Sequence, residues 1–171
     1  MDKWGKKGDR RVLVSTTMEK NLMDIFSEAI GAITSQLSRL WPQPNEKPQL
    51  VNGMLRPCPG TPNCVSSEST SPMSSIAPIS FSGSQEQAWE TLKRVVREEG
   101  GYLHDEGTDY LWSTFTVPVF GFVDDVEFRL SATEGVIHVR SASRLGISDL
   151  GVNRGRVEQL RRAFQTALHH H

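Results

Sequence analysis

Residues 124–156 read DDVEFRLSATEGVIHVRSASRLGISDLGVNRGR, and this stretch carries much of the unusual charge of the chain. Apolar and polar side chains alternate along residues 122–130 and again along residues 136–142, with the sequence Ala-Thr-Glu-Gly between the two runs. Alternation with a period of two is typical of strands in an antiparallel sheet. The stretch therefore predicts a β-hairpin, followed by a polar loop that contains glycine and by the start of a helix.

The register of this hairpin follows from matching its two apolar faces. If Ser131 and Val136 close the four-residue turn, Glu127 lies opposite Arg140. A shift of one residue would turn every side chain to the other face of the sheet, so this is the register that we expect. The same register pairs Phe128 with Val139, Val126 with Ser141 and Arg129 with His138. On an exposed face, a Glu127–Arg140 pair would contribute only about 0.2–1 kcal/mol.

Length and composition predict one globular domain with a hydrophobic core, because the chain has 171 residues, 37% hydrophobic and 23% charged. The net charge of -1 gives no strong field toward nucleic acid or lipid, so we expect no nucleic-acid partner. No apolar run is long enough for a transmembrane helix. No cleavable secretory signal is visible either, so the chain as given predicts a soluble, cytoplasmic protein.

Shifts in composition divide the chain into five parts. They are a flexible basic arm (1–17), an amphipathic helix (18–41), a linker (42–53), a single α+β domain (54–168) and the remnant of a purification tag (169–171). The apolar stripe of the amphipathic helix must be buried on the domain, against another chain or on a membrane surface. Its polar face has few cations, which favours packing or oligomerisation over a membrane.

The order of elements within the domain predicts its fold class. A helix capped by Ser84 precedes strands at 102–104 and 110–117, the hairpin follows, and a last helix begins at Asn153. A loose alternation at 76–81 indicates an edge strand. We expect an α+β fold, with an antiparallel sheet of about four or five strands, two helices packed on one face, and the added N-terminal amphipathic helix.

Cys58 and Cys64 are the only cysteines, in a loop pinned by prolines. A disulfide would clamp this loop, and its Cα atoms would then lie roughly 4.4–6.8 Å apart. A metal site would need further ligands, and His104 and His138 are the only histidines outside the tail. A nucleophilic cysteine would need one of these histidines as its base. We carry the disulfide forward and expect no metal, while the nucleophilic cysteine stays open as an alternative.

Four separated segments, CPGTPNCVSS, GFVDDVEFRL, VRSASRLGISDLGVN and RGRVEQLR, occur in this order. Together they resemble the Domain of Unknown Function 1499 family, over residues 55 to about 168. The resemblance carries no catalytic assignment, but it implies that the polar residues of these segments form one site. The family occurs in bacteria, cyanobacteria and plastid-bearing eukaryotes. Some members look exported or plastid-lumenal, so the resemblance implies a plastid or periplasmic location and favours the disulfide.

The candidate ligand-binding residues follow the hairpin or lie in it. They are Arg140, Ser141, Ser143, Arg144, Asp149, Asn153 and Asp124. One interpretation is structural: Asp149 and Asn153 cap the helix, and Arg144 pairs with Asp149 or Asp124. The other is an anion pocket, in which arginines and the helix N-terminus bind a carboxylate or phosphate. Either way, we expect Arg144 to be a principal polar anchor.

These residues favour a binding or assembly factor without catalytic activity and without a cofactor. Its polar Arg/Asp/Ser pocket would bind an anionic group of a small molecule or of a partner protein. The alternative is a small enzyme that uses Cys58 and Cys64, or Asp124 and Asp125, near Arg140 and Arg144. Adjacent carboxylates on a strand point to opposite faces, so the two aspartates are a poor acid–base pair.

Overall fold

The structure is a computed structural model that describes residues 47–117, 122–144 and 151–169. The predicted basic arm, the predicted amphipathic helix and Asp149 lie outside these ranges. Within them, no helix is both long enough and apolar enough to span a bilayer.

Six strands and two helices make up the described part of the chain. In chain order they are β1 (Cys64–Ser66), β2 (Ile79–Ser80), α1 (Gln85–Glu98), β3 (Tyr102–Glu106), β4 (Tyr110–Val117), β5 (Phe122–Ser131), β6 (Val136–Ser143) and α2 (Val152–His169). The strands form one antiparallel sheet in the order β1-β6-β5-β4-β3, and β2 also pairs with β6. The predicted α+β class is confirmed.

The sheet has one strand more than predicted because β1 has only three residues, and a strand this short shows no periodicity. The predicted edge strand at 76–81 is confirmed as the two-residue β2, and both short strands pair with β6. Strand β3 is also longer than expected, since Asp105 and Glu106 belong to it and not to the turn. A register shift between Leu103 and Asp105 interrupts its pairing with β4, so the full strand does not show regular alternation in the sequence.

The hairpin of β5 and β6 has the predicted register. Ser131 pairs with Val136 and Glu127 with Arg140, and the other predicted pairs follow. Because direct partners lie on the same face, the side chains of Val126, Phe128 and Val139 all point into the core with the helices. The opposite face of the hairpin carries mainly charged groups, and these dominate the candidate site.

Helix α1 begins as predicted, because the Ser84 side chain accepts a hydrogen bond from the Gln87 N–H at 3.4 Å. Its apolar stripe is buried against the sheet together with that of α2. The chain then turns so tightly that a Cβ at Gly101 would lie 2.7 Å from side-chain atoms of both Phe115 and Val96. A glycine at this position lets the end of α1 pack directly against β4.

Candidate functional site

The sheet separates the polar residues of the hairpin into two groups. Along β5, Asp124 points toward the helices, whereas Asp125 and Glu127 point to the opposite face, which we call the outer face. Asp124 and Asp125 therefore contact different cations and do not form a carboxylate pair. The predicted site residues are likewise divided between these two faces.

Glu127 is the centre of the outer face and has no solvent-exposed surface. Arg140 Nη1 donates a hydrogen bond to its Oε1 at 2.8 Å, and the Tyr110 hydroxyl donates to Oε2 at 3.0 Å. The Glu127–Arg140 pair was expected, but its burial was not. The pair is buried because the segment from Lys47 to Arg56 lies against this face. Lys47 contacts Asp105 at 2.7 Å, and Arg56 lies 3.7 Å from Glu127.

Two further ion pairs flank Glu127 on the outer face. Arg144 binds Asp125 through both Nε and Nη2, at 3.0 and 2.9 Å, and Trp112 donates to the same carboxylate at 2.8 Å. On the other flank, Arg129 binds Glu68 through Nε at 2.8 Å and also through Nη2. Asp149 and Asp124 were the expected partners of Arg144. Asp124 lies on the other face of the sheet, and Asp149 lies outside the described residues.

At the centre of the outer face, arginines outnumber carboxylates, and Lys47 with Asp105 and His138 with Glu134 form further pairs outside this centre. Among the described residues, the connected pairs bring four arginines (Arg56, Arg129, Arg140 and Arg144) to three buried carboxylates (Glu68, Asp125 and Glu127). Burial lowers the pKa of the Arg140 guanidinium, Glu127 opposes that change, and the neighbouring Arg56 adds to it. Burial, reinforced by Glu127, raises the pKa of Tyr110 far above its ordinary value. The Tyr110 hydroxyl therefore stays protonated and donates a hydrogen bond to Glu127.

The helix-facing group is a compact structural cluster. Arg156 Nη1 lies 2.7 Å from Asp124 Oδ2 and donates to Asn153 Oδ1 at 3.0 Å. Ser141 also donates to Asn153 Oδ1, and Asn153 Nδ2 donates to the carbonyl of Asn63 at 3.1 Å. Four separate parts of the chain are thereby joined beneath the first turn of α2.

Asn153 was predicted to cap α2, and this is wrong. The helix begins at Val152, so Asn153 lies within its first turn and is fully buried. Its side chain is directed into the protein, where it satisfies polar groups of the sheet and of the loop before β1. Asp124, a predicted ligand-binding residue, contacts Arg156.

Ser143 and Arg154 have structural contacts as well. The backbone N–H of Ser143 donates to the carbonyl of Asn63 at 3.0 Å, and its carbonyl accepts from the Asn63 side chain at 3.4 Å. Arg154 donates to the carbonyls of Met73 and Ser75, at 3.1 and 2.9 Å. The latter contacts attach the loop after β1 to α2.

Cys58 and Cys64 form a disulfide with their Cα atoms 5.6 Å apart, within the predicted range. They are the only two cysteines of the chain, so neither thiol is free to act as a nucleophile in this state. Within the described ranges, no group of three or more His, Cys, Asp or Glu side chains converges as a metal site would require.

A cavity of about 450 Å³ lies beside the outer face. Its walls come from residues 51–62, which include the disulfide loop, and from residues 66–74 after it. Arg56 is the one cationic side chain among its lining residues, and Glu68 is the one carboxylate. Arg56 and Glu68 were not predicted as site residues, because each lies in a loop without periodicity. Their nearness in sequence to the cysteine loop is the one signal that could have pointed to them.

Comparison with known families supports the resemblance of the separated segments. A family model described as "Protein of unknown function (DUF1499)" matches residues 54–164. The chain belongs to the DUF1499 family. The residues matched to DUF1499 include every arginine and carboxylate of the outer face as well as the disulfide. No curated protein matches the chain.

Proposed function

We propose that this DUF1499 protein binds an anionic group of a small molecule or partner protein without transforming it. The site is the cavity beside the outer face, and Arg56 is its principal contact. The observation that carries this proposal is the presence of two guanidinium groups, Arg56 and Arg140, at the single carboxylate of Glu127. An anion bound at Arg56 would neutralise the remaining positive charge.

The position of Arg56 fits this role. Its Nη2 lies 3.7 Å from Glu127, which is too far for a hydrogen bond, and its buried Nε has no hydrogen-bond partner. Buried donors without acceptors destabilise a protein by about 1–3 kcal/mol each. The Arg56 side chain retains 31% of its exposure, so an anion can reach it from the cavity. Arginine suits the task because its planar fork binds carboxylate or phosphate with two parallel hydrogen bonds.

The residues predicted from sequence take different parts in this proposal. Arg140 binds Glu127 and adds positive charge next to Arg56. Arg144 binds Asp125 on the same face of the sheet. Ser141, Asn153 and Asp124 lie on the other side of the sheet, where they support the frame. Of the charged groups at the outer face, Arg56 and Glu68 line the proposed binding site.

Thermal melts in the presence of simple anions test the proposal. Sodium acetate and inorganic phosphate are compared with sodium chloride at equal ionic strength, for the wild type and for Arg56→Gln. At least one of the two anions should raise the melting temperature of the wild type and have no effect on Arg56→Gln. The variant should fold, because Arg140 remains bound to Glu127 at 2.8 Å.

Arg94→Gln is the matched control. Arg94 is an exposed arginine of α1 that pairs with Glu98 four residues later, away from the cavity. This variant should respond to the anions as the wild type does. An unchanged wild-type melting temperature with both anions, or an equal rise in Arg56→Gln, would overturn the proposal.

A further inference from the structure

The cavity combines its single cation with an unusually apolar rim. In the described part of the chain, six large apolar side chains are exposed, and three of them, Val51, Met54 and Met73, line this cavity. Their exposed fractions are 46%, 49% and 73%. Exposed apolar side chains gathered around one opening are a frequent mark of a ligand site.

Local structure holds these apolar side chains around the opening. Val51 and Met54 exchange two backbone hydrogen bonds, at 2.8 and 3.1 Å, across a tight turn. Asn52 and Gly53 occupy the turn with positive φ angles of 53° and 76°, which place the two apolar side chains at its base. The opposite wall is attached to α2, because Arg154 binds the carbonyl of Met73.

The charges of the cavity favour one negative charge on the ligand. Glu68 is already bound by Arg129 and by the N–H of Leu55, the latter at 2.6 Å. Arg56 and Arg140 share the single carboxylate of Glu127, so one of the two guanidinium groups has no carboxylate of its own there. A carboxylate supplies that charge, whereas a phosphate dianion would bring a second charge close to Glu68 and Glu127.

We propose, resting on the anion-binding function above, that the ligand is an amphipathic carboxylic acid. Its carboxylate binds Arg56, and its apolar chain lies against Met54, Met73 and Val51. Methionine suits such a wall because its flexible, polarisable side chain adapts to apolar chains of different shape. The volume of about 450 Å³ is in the range of cavities that bind small organic molecules.

A series of straight-chain carboxylates from acetate to octanoate, each below its micelle concentration, tests this inference by NMR titration. Full burial of a methylene group tightens binding about fourfold, and half-burial about twofold. We therefore expect a steady gain of about two- to fourfold per methylene group, with shift changes confined to residues 51–62 and 66–74. Arg56→Gln should abolish binding of the whole series.

Two variants at the rim separate the apolar contribution from the ionic one. Met54→Ser and Met73→Ser should weaken octanoate binding several-fold and leave acetate binding unchanged. Both residues are exposed, so the variants should fold. Val152→Ser is the control, because it removes an exposed apolar side chain that does not line this cavity, and the gain per methylene group should stay the same.

The outcomes distinguish this inference from the function on which it rests. Acetate and octanoate binding equally, both dependent on Arg56, would overturn the inference and leave anion binding intact. Octanoate binding at several sites would also overturn it. If the protein binds neither carboxylates nor phosphate, both proposals are overturned. Both are also overturned if octanol or octylammonium binds as tightly as octanoate.

Discussion

Arg144 and Asp125 form a two-pronged ion pair at the end of the sheet, with the guanidinium Nε and Nη2 each bonded to a different carboxylate oxygen. Asp125 is 8% exposed and Arg144 20% exposed, so the pair is mostly shielded from water. Arg144 was predicted to be a polar anchor, with an ion pair to Asp124 or Asp149 as one of two interpretations. The alternation of β5 determines the partner, because it directs Asp125 to the outer face.

Arg144→Ala should destabilise the protein by about 2–3 kcal/mol, somewhat less than for a fully buried pair, because it leaves a buried carboxylate without its cation. Arg144→Lys should also destabilise it, since lysine lacks the planar fork. Urea unfolding of the two variants, of Asp125→Asn and of the double variant measures this. Losses that simply add, without a coupling energy, would show that the pair does not stabilise the fold.

Asn153 offers a test between a helix cap and a buried link. Serine caps a helix about as well as asparagine, so Asn153→Ser would be nearly neutral if capping were its role. We expect a loss of about 2–4 kcal/mol, because serine is too short to bond Ser141, Arg156 and the Asn63 carbonyl together. Chemical unfolding measures it. Gln159→Ala, at an exposed site of the same helix, is the control and should change stability by less than about 0.5 kcal/mol.

The disulfide should contribute about 2 kcal/mol, as expected from the entropy of so short a loop. Cys58→Ser with Cys64→Ser should lower the free energy of unfolding by that amount, because the separation of the two cysteines is only 6 residues. Protein purified without reductant should gain no mass with iodoacetamide, either folded or unfolded. Labelling of the unfolded protein before reduction would contradict the disulfide.

The pKa of His104 provides a prediction about pH. Partial burial, followed by repulsion from Arg144, holds this pKa below its usual value of 6.5, and Asp125 opposes the shift. The folded chain therefore binds this proton less readily than the unfolded chain. The resulting stability is present in full above about pH 6.5 and is lost as the pH falls through the folded pKa.

An NMR titration should place the pKa of His104 below 6.5 in the wild type. Arg144→Ala removes the repelling cation and leaves Asp125 unpaired, so both effects should raise the value. Arg94→Ala, on the far side of the sheet, should leave it unchanged. A wild-type value at or above the usual one would contradict this account.

Most of the fold could be predicted from local patterns. The register of β5 and β6 follows from matched apolar faces, and the start of α1 from the cap at Ser84. Strand β2 lies within the edge strand predicted at 76–81, but β1 could not be predicted in the same way, because its three residues carry no period and depend on β6 for hydrogen bonds. The sequence therefore underestimates the size of the sheet.

The candidate site was less predictable, because it is formed by contacts across long stretches of chain. Arg140 and its partner Glu127 were identified from the hairpin, but Asp125 as the partner of Arg144 was not. Arg56 reaches Glu127 from 71 residues away in a loop, and Glu68 reaches Arg129 from 61 residues away. No helical or strand period connects these last two pairs, so they follow from tertiary structure alone.

The register shift in β3 also affects whether the sheets of two protein molecules can pair edge to edge. In the described part of the chain, β3 pairs only with β4, so its other side offers unpaired backbone groups to any extended chain. The interruption between Leu103 and Asp105 breaks the regular spacing of those groups, and Asp105 and Glu106 add charge beside it. A strand from a second molecule would have to follow the same irregularity and tolerate those charges. We therefore expect β3 to disfavour edge-to-edge pairing between two copies of the protein.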